Sequence, residues 1–156
     1  MSEFTDALIS EANAWVGERE VTQNRSPRID ILHEFCNRDP AFCDPYCAQF
    51  CSYMLHLASL KTGIKCPLLK SSSAMEFMRK NISFEVKSPQ SGDLFIIDHG
   101  GGKGHMGIVE STSPLNPDIL QTIEANTDPT GGRDGDGIYA RSRHLREIVC
   151  FIRPAV

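Results

Sequence analysis

One cysteine lies where a helix is predicted to begin, and that position gives its thiol distinctive chemistry. Cys47 follows Asp44-Pro45-Tyr46 and opens a largely apolar stretch that runs to Thr62. The helix dipole and the free backbone N–H groups of a first turn favour the ionised form of such a thiol. The same N–H groups can face the oxygen of a tetrahedral intermediate. Cys47 is therefore a candidate nucleophile for attack on a carbonyl group.

A thiol that attacks an amide needs a base that accepts its proton and passes it to the leaving amine, and histidine suits this task because its pKa lies near neutrality. His105 is the best candidate, because it opens a predicted strand directly after residues 100–104, a glycine-rich run. Glycines let the backbone come close to a substrate. We expect Gly104 and Tyr46, the neighbours of His105 and Cys47, to contribute to the oxyanion or substrate-binding site.

The base also needs an acceptor that holds its ring in the useful tautomer. Glu124 and Asn126 lie two residues apart on a predicted strand, so regular pleating puts them on one face. Either of them, or both, would orient His105. His99 precedes the glycines and has no strand after it, so we interpret it as a solvated loop histidine.

Four short motifs follow one another along the chain: Pro45-Tyr46-Cys47-Ala48-Gln49-Phe50, Gly92-Asp93-Leu94-Phe95, Gly104-His105-Met106-Gly107-Ile108-Val109 and Ile123-Glu124-Ala125-Asn126-Thr127. Their order and spacing resemble those of the CHAP family, the cysteine, histidine-dependent amidohydrolases and peptidases of the papain-like group of cell-wall hydrolases. The resemblance extends from about Trp15 to Arg153. One departure is Tyr46, which stands where many members carry tryptophan.

The resemblance implies that Cys47 is the nucleophile, His105 the base, Glu124 the principal orienting residue and Asn126 a supporting one. It also implies a peptidoglycan substrate, cut at the muramoyl–alanine amide or within the stem or cross-bridge peptide. We expect no metal ion and no cofactor in the site.

Helical patterns precede strand patterns along the chain, which predicts an α+β fold in a single domain of residues 1–156. Apolar spacing predicts helices from Thr5 to Gly17, Arg28 to Phe35, Tyr46 to Thr62 and Met75 to Lys80. Short β-branched or aromatic runs predict strands at Gly92–Asp98, His105–Glu110, Leu120–Asn126, Gly137–Arg141 and Ile148–Arg153. We expect a papain-like arrangement, in which the central helix bearing Cys47 packs on an antiparallel sheet of five or six strands.

Composition excludes some functions. The net charge of −4 and the scattered basic residues argue against nucleic-acid binding. No apolar run is long enough for a membrane helix, and the N-terminus lacks a signal-peptide pattern. We therefore expect a monomer made in the cytoplasm, with no nucleic-acid or membrane partner, that acts in the periplasm or cell wall after release or injection.

The six cysteines are interpreted mainly as free thiols, because no secretory signal supports a disulfide framework. A Cys36–Cys43 pair remains open in an oxidising compartment. Cys51, one helical turn after Cys47, is expected in the core. The cysteine spacings do not match the paired pattern of structural zinc sites.

Two further features have alternative interpretations. Gly131–Gly137 resembles a calcium loop but lacks the closing glutamate, and a hairpin connection fits it equally well. Arg141 and Arg143 either contact acidic wall groups or form a solvated strand end, which we prefer.

Two other functions compete with wall hydrolysis. In the first, the chain is a catalytically inactive module that binds wall fragments or a partner protein. In the second, it is a cysteine protease toxin that acts on a protein. An injected effector would further require a cognate inhibitor as its partner.

Overall fold

In the computed structural model of the protein, residues 1–127 and 135–156 are described, and these residues form four α-helices and a six-stranded sheet. The helices are α1 (Glu3–Asn13), α2 (Pro27–Phe35), α3 (Cys47–Thr62) and α4 (Ala74–Asn81). The strands are β1 (Glu85–Val86), β2 (Leu94–Gly100), β3 (Lys103–Thr112), β4 (Ile119–Thr127), β5 (Gly137–His144) and β6 (Cys150–Ile152). Paired strands are antiparallel, in the order β1-β6-β2-β3-β4-β5. The predicted α+β class and strand number are confirmed.

The helix that carries the candidate nucleophile is the most enclosed one. Every residue of α3 from Cys47 to Ser52 is buried. This half of the helix carries mostly apolar or small side chains around its whole circumference, which favours burial on all sides. The helix ends at Gly63, whose left-handed φ of +71° is readily available to glycine. The side chain of Tyr46, the residue before the helix, makes no capping hydrogen bond to the first turn of the helix. The first-turn N–H groups are thus left for the side chain of Cys47 or for a ligand.

The sheet carries apolar residues on both faces. Met106 and Ile108 of β3 belong to the main core, together with the buried apolar residues of α1 and α3. Phe95 and Val109 belong to a second, smaller cluster. Since side chains alternate along a strand, His105 lies on the Phe95 face, and the two rings have centroids 6.2 Å apart.

The element boundaries differ from the predicted ones where turns intervene. The first helix was predicted to reach Gly17 but ends at Asn13, and Gly17 lies in a following turn with φ of +96°. The two-residue strand β1, which pairs with β6, was not predicted. It is too short to show a periodic pattern.

The first two residues of the Gly92-Asp93-Leu94-Phe95 motif have structural roles. Asp93 is 1% exposed, and both of its carboxylate oxygens accept hydrogen bonds of 2.8 Å from Arg153. Gly92 has φ of +90°, and a Cβ there would lie 2.7 Å from the Thr5 side chain. These residues tie the start of β2 to the C-terminal segment and to α1.

In the part of the chain that the structure describes, no helix has the length and apolar character to cross a membrane.

Candidate active site

The fold brings Cys47, His105 and Glu124 together from three different elements. Cys47 is the first residue of α3, His105 lies near the start of β3, and Glu124 lies in β4. His105 Nε2 is 2.7 Å from Glu124 Oε2, and the thiol of Cys47 forms a hydrogen bond with His105. Because Nε2 faces Glu124, Nδ1 is the ring nitrogen left for the thiol. The three residues form a continuous hydrogen-bonded series.

A gap in the sheet gives Cys47 access to β3. In the described residues, the ladder between β3 and β4 ends at the Ile108–Ile123 pair, although both strands continue beyond it. The backbone of Met106 lies in the unpaired part of β3 and forms a hydrogen bond with the Cys47 side chain. The start of α3 therefore lies where two neighbouring strands separate.

Several groups favour the ionised thiol of Cys47. Burial raises its pKa, but the hydrogen bond and the charge of His105 act in the opposite direction. The backbone groups of Met106 and Ala48 add two further hydrogen bonds to the sulfur. The net result is a pKa below the ordinary thiol value, so this thiol ionises more easily than an ordinary cysteine.

His105 favours its protonated form in this setting. Burial lowers the pKa of the imidazole, whereas its hydrogen bonds to Cys47 and Glu124 and their negative charges raise it, to about 9. The residue is 8% exposed. A thiolate beside an imidazolium is consequently favoured near neutral pH.

Glu124 is fully buried and ionised. Burial raises the pKa of its carboxyl group, but Arg143 and His105 lower it to about 2. Arg143 donates from Nε to Oε1 at 2.9 Å and from Nη2 to Oε2 at 2.7 Å. The Thr122 hydroxyl donates to Oε1 at 2.7 Å. The carboxylate is therefore held by four hydrogen-bond donors, of which His105 is one.

Our preference for a solvated strand end at Arg143 is wrong, because its side chain is 12% exposed. Arg141, equally buried at 12%, lies 3.8 Å from the same carboxylate and donates to Thr127. In β5 both arginines lie on the face that includes Glu124, since Glu124 pairs with Tyr139 in register. The sequence signal for this placement was the two-residue spacing of Tyr139, Arg141 and Arg143, which puts the three side chains on one face of a strand.

Asn126 lines the same cleft as Cys47 and His105, but its backbone departs from the regular pleat. Its φ is +55°, and the β4–β5 register shifts between Ala125 and Thr127. The two-residue rule used to place it beside Glu124 does not hold across this bulge. Its predicted supporting role stays a prediction.

Gly104 and Tyr46 have different surroundings. Gly104 lines the cleft, and a Cβ there would lie 2.7 Å from both the Ile97 carbonyl oxygen and the Met75 sulfur. The Tyr46 side chain is fully buried, and its hydroxyl donates to Glu20 at 2.9 Å. The predicted oxyanion or substrate-binding role of Tyr46 therefore does not extend to its side chain.

The candidate site opens into a cleft of about 580 Å³, a size typical of small-molecule sites. Its walls include residues 72–74 before and within α4, the β2–β3 hairpin and the loop before α3. Arg38 and Asp44 form an ion pair of 2.6 Å on this last wall. His99 is exposed, as expected, but it lies in β2 and lines the cleft, so its interpretation as a loop histidine is wrong.

The six cysteines are free thiols, as interpreted, and Cys36 and Cys43 are not joined. Cys51 is fully buried in the core, which confirms its predicted place. Among residues 1–127 and 135–156, no group of three or more metal-ligating side chains is placed to hold an ion. Most of the glycine-rich stretch considered for calcium, residues 131–134, lies outside the described residues.

No protein-family model matches the chain, and a comparison with curated proteins finds no match either.

Proposed function

We propose that this protein is a papain-like cysteine amidohydrolase or peptidase that cleaves an amide bond in bacterial peptidoglycan. The hydrogen-bonded series from Cys47 through His105 to Glu124, at the start of a buried helix and beside a cleft, carries the proposal. Three side chains from separate elements meet in the order that nucleophile, base and orienting acceptor require.

The proposed reaction begins with attack of the Cys47 thiolate on the amide carbon. The backbone N–H groups at the start of α3 stabilise the oxygen of the tetrahedral intermediate. His105 gives its proton to the leaving amine, which leaves an acyl group on the sulfur as a thioester. Neutral His105 then accepts a proton from water as the water attacks the thioester, and Cys47 is released with the carboxylic acid product.

The papain-like assignment is supported by the arrangement of elements. The candidate nucleophile starts a central helix, the candidate base lies on an antiparallel sheet, and helices precede strands along the chain. The CHAP resemblance of the four motifs supports peptidoglycan as the substrate, cut at the muramoyl–alanine amide or within the stem or cross-bridge peptide. We propose that the enzyme reaches the wall after release or injection, with a cognate inhibitor as partner if it is an effector.

The test is mass spectrometry of purified peptidoglycan after incubation with wild type, Cys47→Ala and Cys51→Ala under reducing conditions. Cys51 is the matched control, since it lies one turn later in α3 and is fully buried in the core. Circular dichroism establishes that all three proteins are folded. We expect wild type and Cys51→Ala to release the same fragments, whose masses name the bond, and Cys47→Ala to release none.

Two results would contradict the proposal in different ways. Cleavage by Cys47→Ala at the wild-type rate would exclude Cys47 as nucleophile. Intact peptidoglycan in all samples would exclude the substrate, and a screen against protein substrates would then separate a protease from a binding module.

A further inference from the structure

We infer that Arg143 is a positioning residue that holds Glu124 ionised and aligned, and that it thereby sets the pH range over which Cys47 is reactive. The inference deepens the proposed function, because it assigns a role in the same site to a further side chain. It rests on the proposed role of His105, but its consequence for the Cys47 thiol is measurable without any substrate.

The geometry shows why a guanidinium suits this position. The planar fork of Arg143 reaches both oxygens of Glu124, at 2.9 and 2.7 Å, which fixes the plane of the carboxylate. Oε2 is shared with His105 Nε2 at 2.7 Å, so the orientation of the carboxylate determines where the imidazole lies. Arg143 Nη1 is itself held by Glu147 at 3.2 Å. Glu147 therefore restricts the guanidinium of Arg143 from the side that faces away from Glu124.

The charge balance around Glu124 depends on the same residue. The titratable groups that interact with it, directly or through His105 and Arg143, come from two strands, one helix and the 3-10 turn at Leu145–Glu147: His105, Arg141, Arg143, Cys47, Cys51 and Glu147. Of the two arginines, Arg143 makes both close hydrogen bonds, whereas Arg141 stays 3.8 Å away. A fully buried carboxylate without such a partner favours its neutral form.

Loss of Arg143 therefore acts on Cys47 through His105. If Glu124 takes up a proton, it no longer stabilises the imidazolium, and the thiolate loses its counter-ion. If Glu124 stays ionised, the site still loses one positive charge that favours the thiolate. In both cases the ionisation of Cys47 moves to higher pH.

The test is the pH dependence of Cys47 alkylation by iodoacetamide, followed by peptide mass spectrometry on the intact folded protein. The variants are Arg143→Gln, Arg143→Lys and the control Arg146→Gln, which removes an exposed arginine three residues away. Hydrogen bonds to charged groups contribute enough to shift a pKa by about one unit or more. The acidic limb is the part of the profile in which the alkylation rate increases with pH as Cys47 ionises. We expect the midpoint of this limb to move to higher pH by about one unit in Arg143→Gln, by less in Arg143→Lys, and not at all in Arg146→Gln.

A folded Arg143→Gln variant with the wild-type profile would overturn the inference, and so would an equal shift in Arg146→Gln. If circular dichroism shows that Arg143→Gln is unfolded, Arg143→Lys decides in the same way: a raised limb supports the inference and a superimposable one overturns it. Because alkylation needs no peptidoglycan, a shifted profile without wall cleavage would contradict the proposed substrate and leave the role of Arg143 intact.

Discussion

Replacement of Gly107 by alanine tests whether the contact between β3 and Glu124 is as close as the proposed mechanism requires. Gly107 lies two residues after His105 on β3, opposite Phe95. A Cβ at this position would lie 2.7 Å from Phe95 Cε1 and 2.9 Å from Glu124 Cγ. Real Cβ contacts are essentially never that short. The substitution must therefore move the Phe95 ring or the Glu124 side chain.

Two effects of different size follow from Gly107→Ala. Overpacking of a buried site costs about 1–3 kcal/mol in the free energy of unfolding, or roughly 2–12 °C in Tm for a chain of this length. Displacement of Glu124 also lengthens the 2.7 Å hydrogen bond to His105. Since a misplacement of about 1 Å costs roughly 100-fold in rate, we expect kcat/KM to fall by about 10- to 100-fold.

The assay compares Tm and initial rates of muropeptide cleavage at a temperature where every variant is folded. Gly63→Ala is the control: Gly63 has a left-handed φ of +71°, and a Cβ there has nothing within 4 Å. Alanine in that conformation costs about 1–2 kcal/mol at the end of α3 opposite to Cys47. Wild-type kcat/KM in Gly107→Ala, or an equal loss in Gly63→Ala, would refute the close contact as the cause.

Two further predictions concern Asn126 and Glu124. Asn126 has φ of +55°, which glycine adopts freely and alanine adopts at a cost of about 1–2 kcal/mol, so Asn126→Gly preserves the backbone and removes the amide. If the side chain supports catalysis, both Asn126→Gly and Asn126→Ala lose roughly tenfold in kcat/KM, less than the loss of a full oxyanion donor; full activity in Asn126→Gly would limit the role to the backbone. Glu124 has a folded pKa of about 2 against an ordinary value of 4.5, so its contribution to stability is present above about 4.5 and is lost as the pH falls toward about 2. Urea unfolding midpoints at about pH 5 and about pH 3 should therefore differ less in Glu124→Gln than in wild type, and an identical difference would show that this carboxylate is not the titrating group.

Local patterns were sufficient to predict the elements that carry the candidate site. The apolar stretch after Asp44-Pro45-Tyr46 and the following Gly63 predicted the extent of α3, and α3 begins at Cys47. His105 and Glu124 were predicted from strand patterns and motif order, and the structure brings their side chains to 2.7 Å. Such features depend on neighbours in the sequence, so they are visible in the sequence itself.

The features that were missed depend on contacts between distant segments. Arg143 was not predicted as a partner of Glu124, because that contact follows from the register of β4 against β5. The direction of the Tyr46 side chain depends on Glu20, which lies 26 residues earlier. The bulge at Asn126 interrupts the alternation on which its placement relied. Register, bulges and long-range packing are tertiary properties that periodicity does not encode.

The most direct test of the proposed reaction is intact-protein mass spectrometry after acid quenching during turnover of soluble muropeptides. We predict a mass increase equal to the acyl half of the cleaved muropeptide, located on the peptide that contains Cys47 and absent in Cys47→Ala. Cleavage of the same muropeptides by Cys47→Ala at the wild-type rate would contradict covalent catalysis by this thiol.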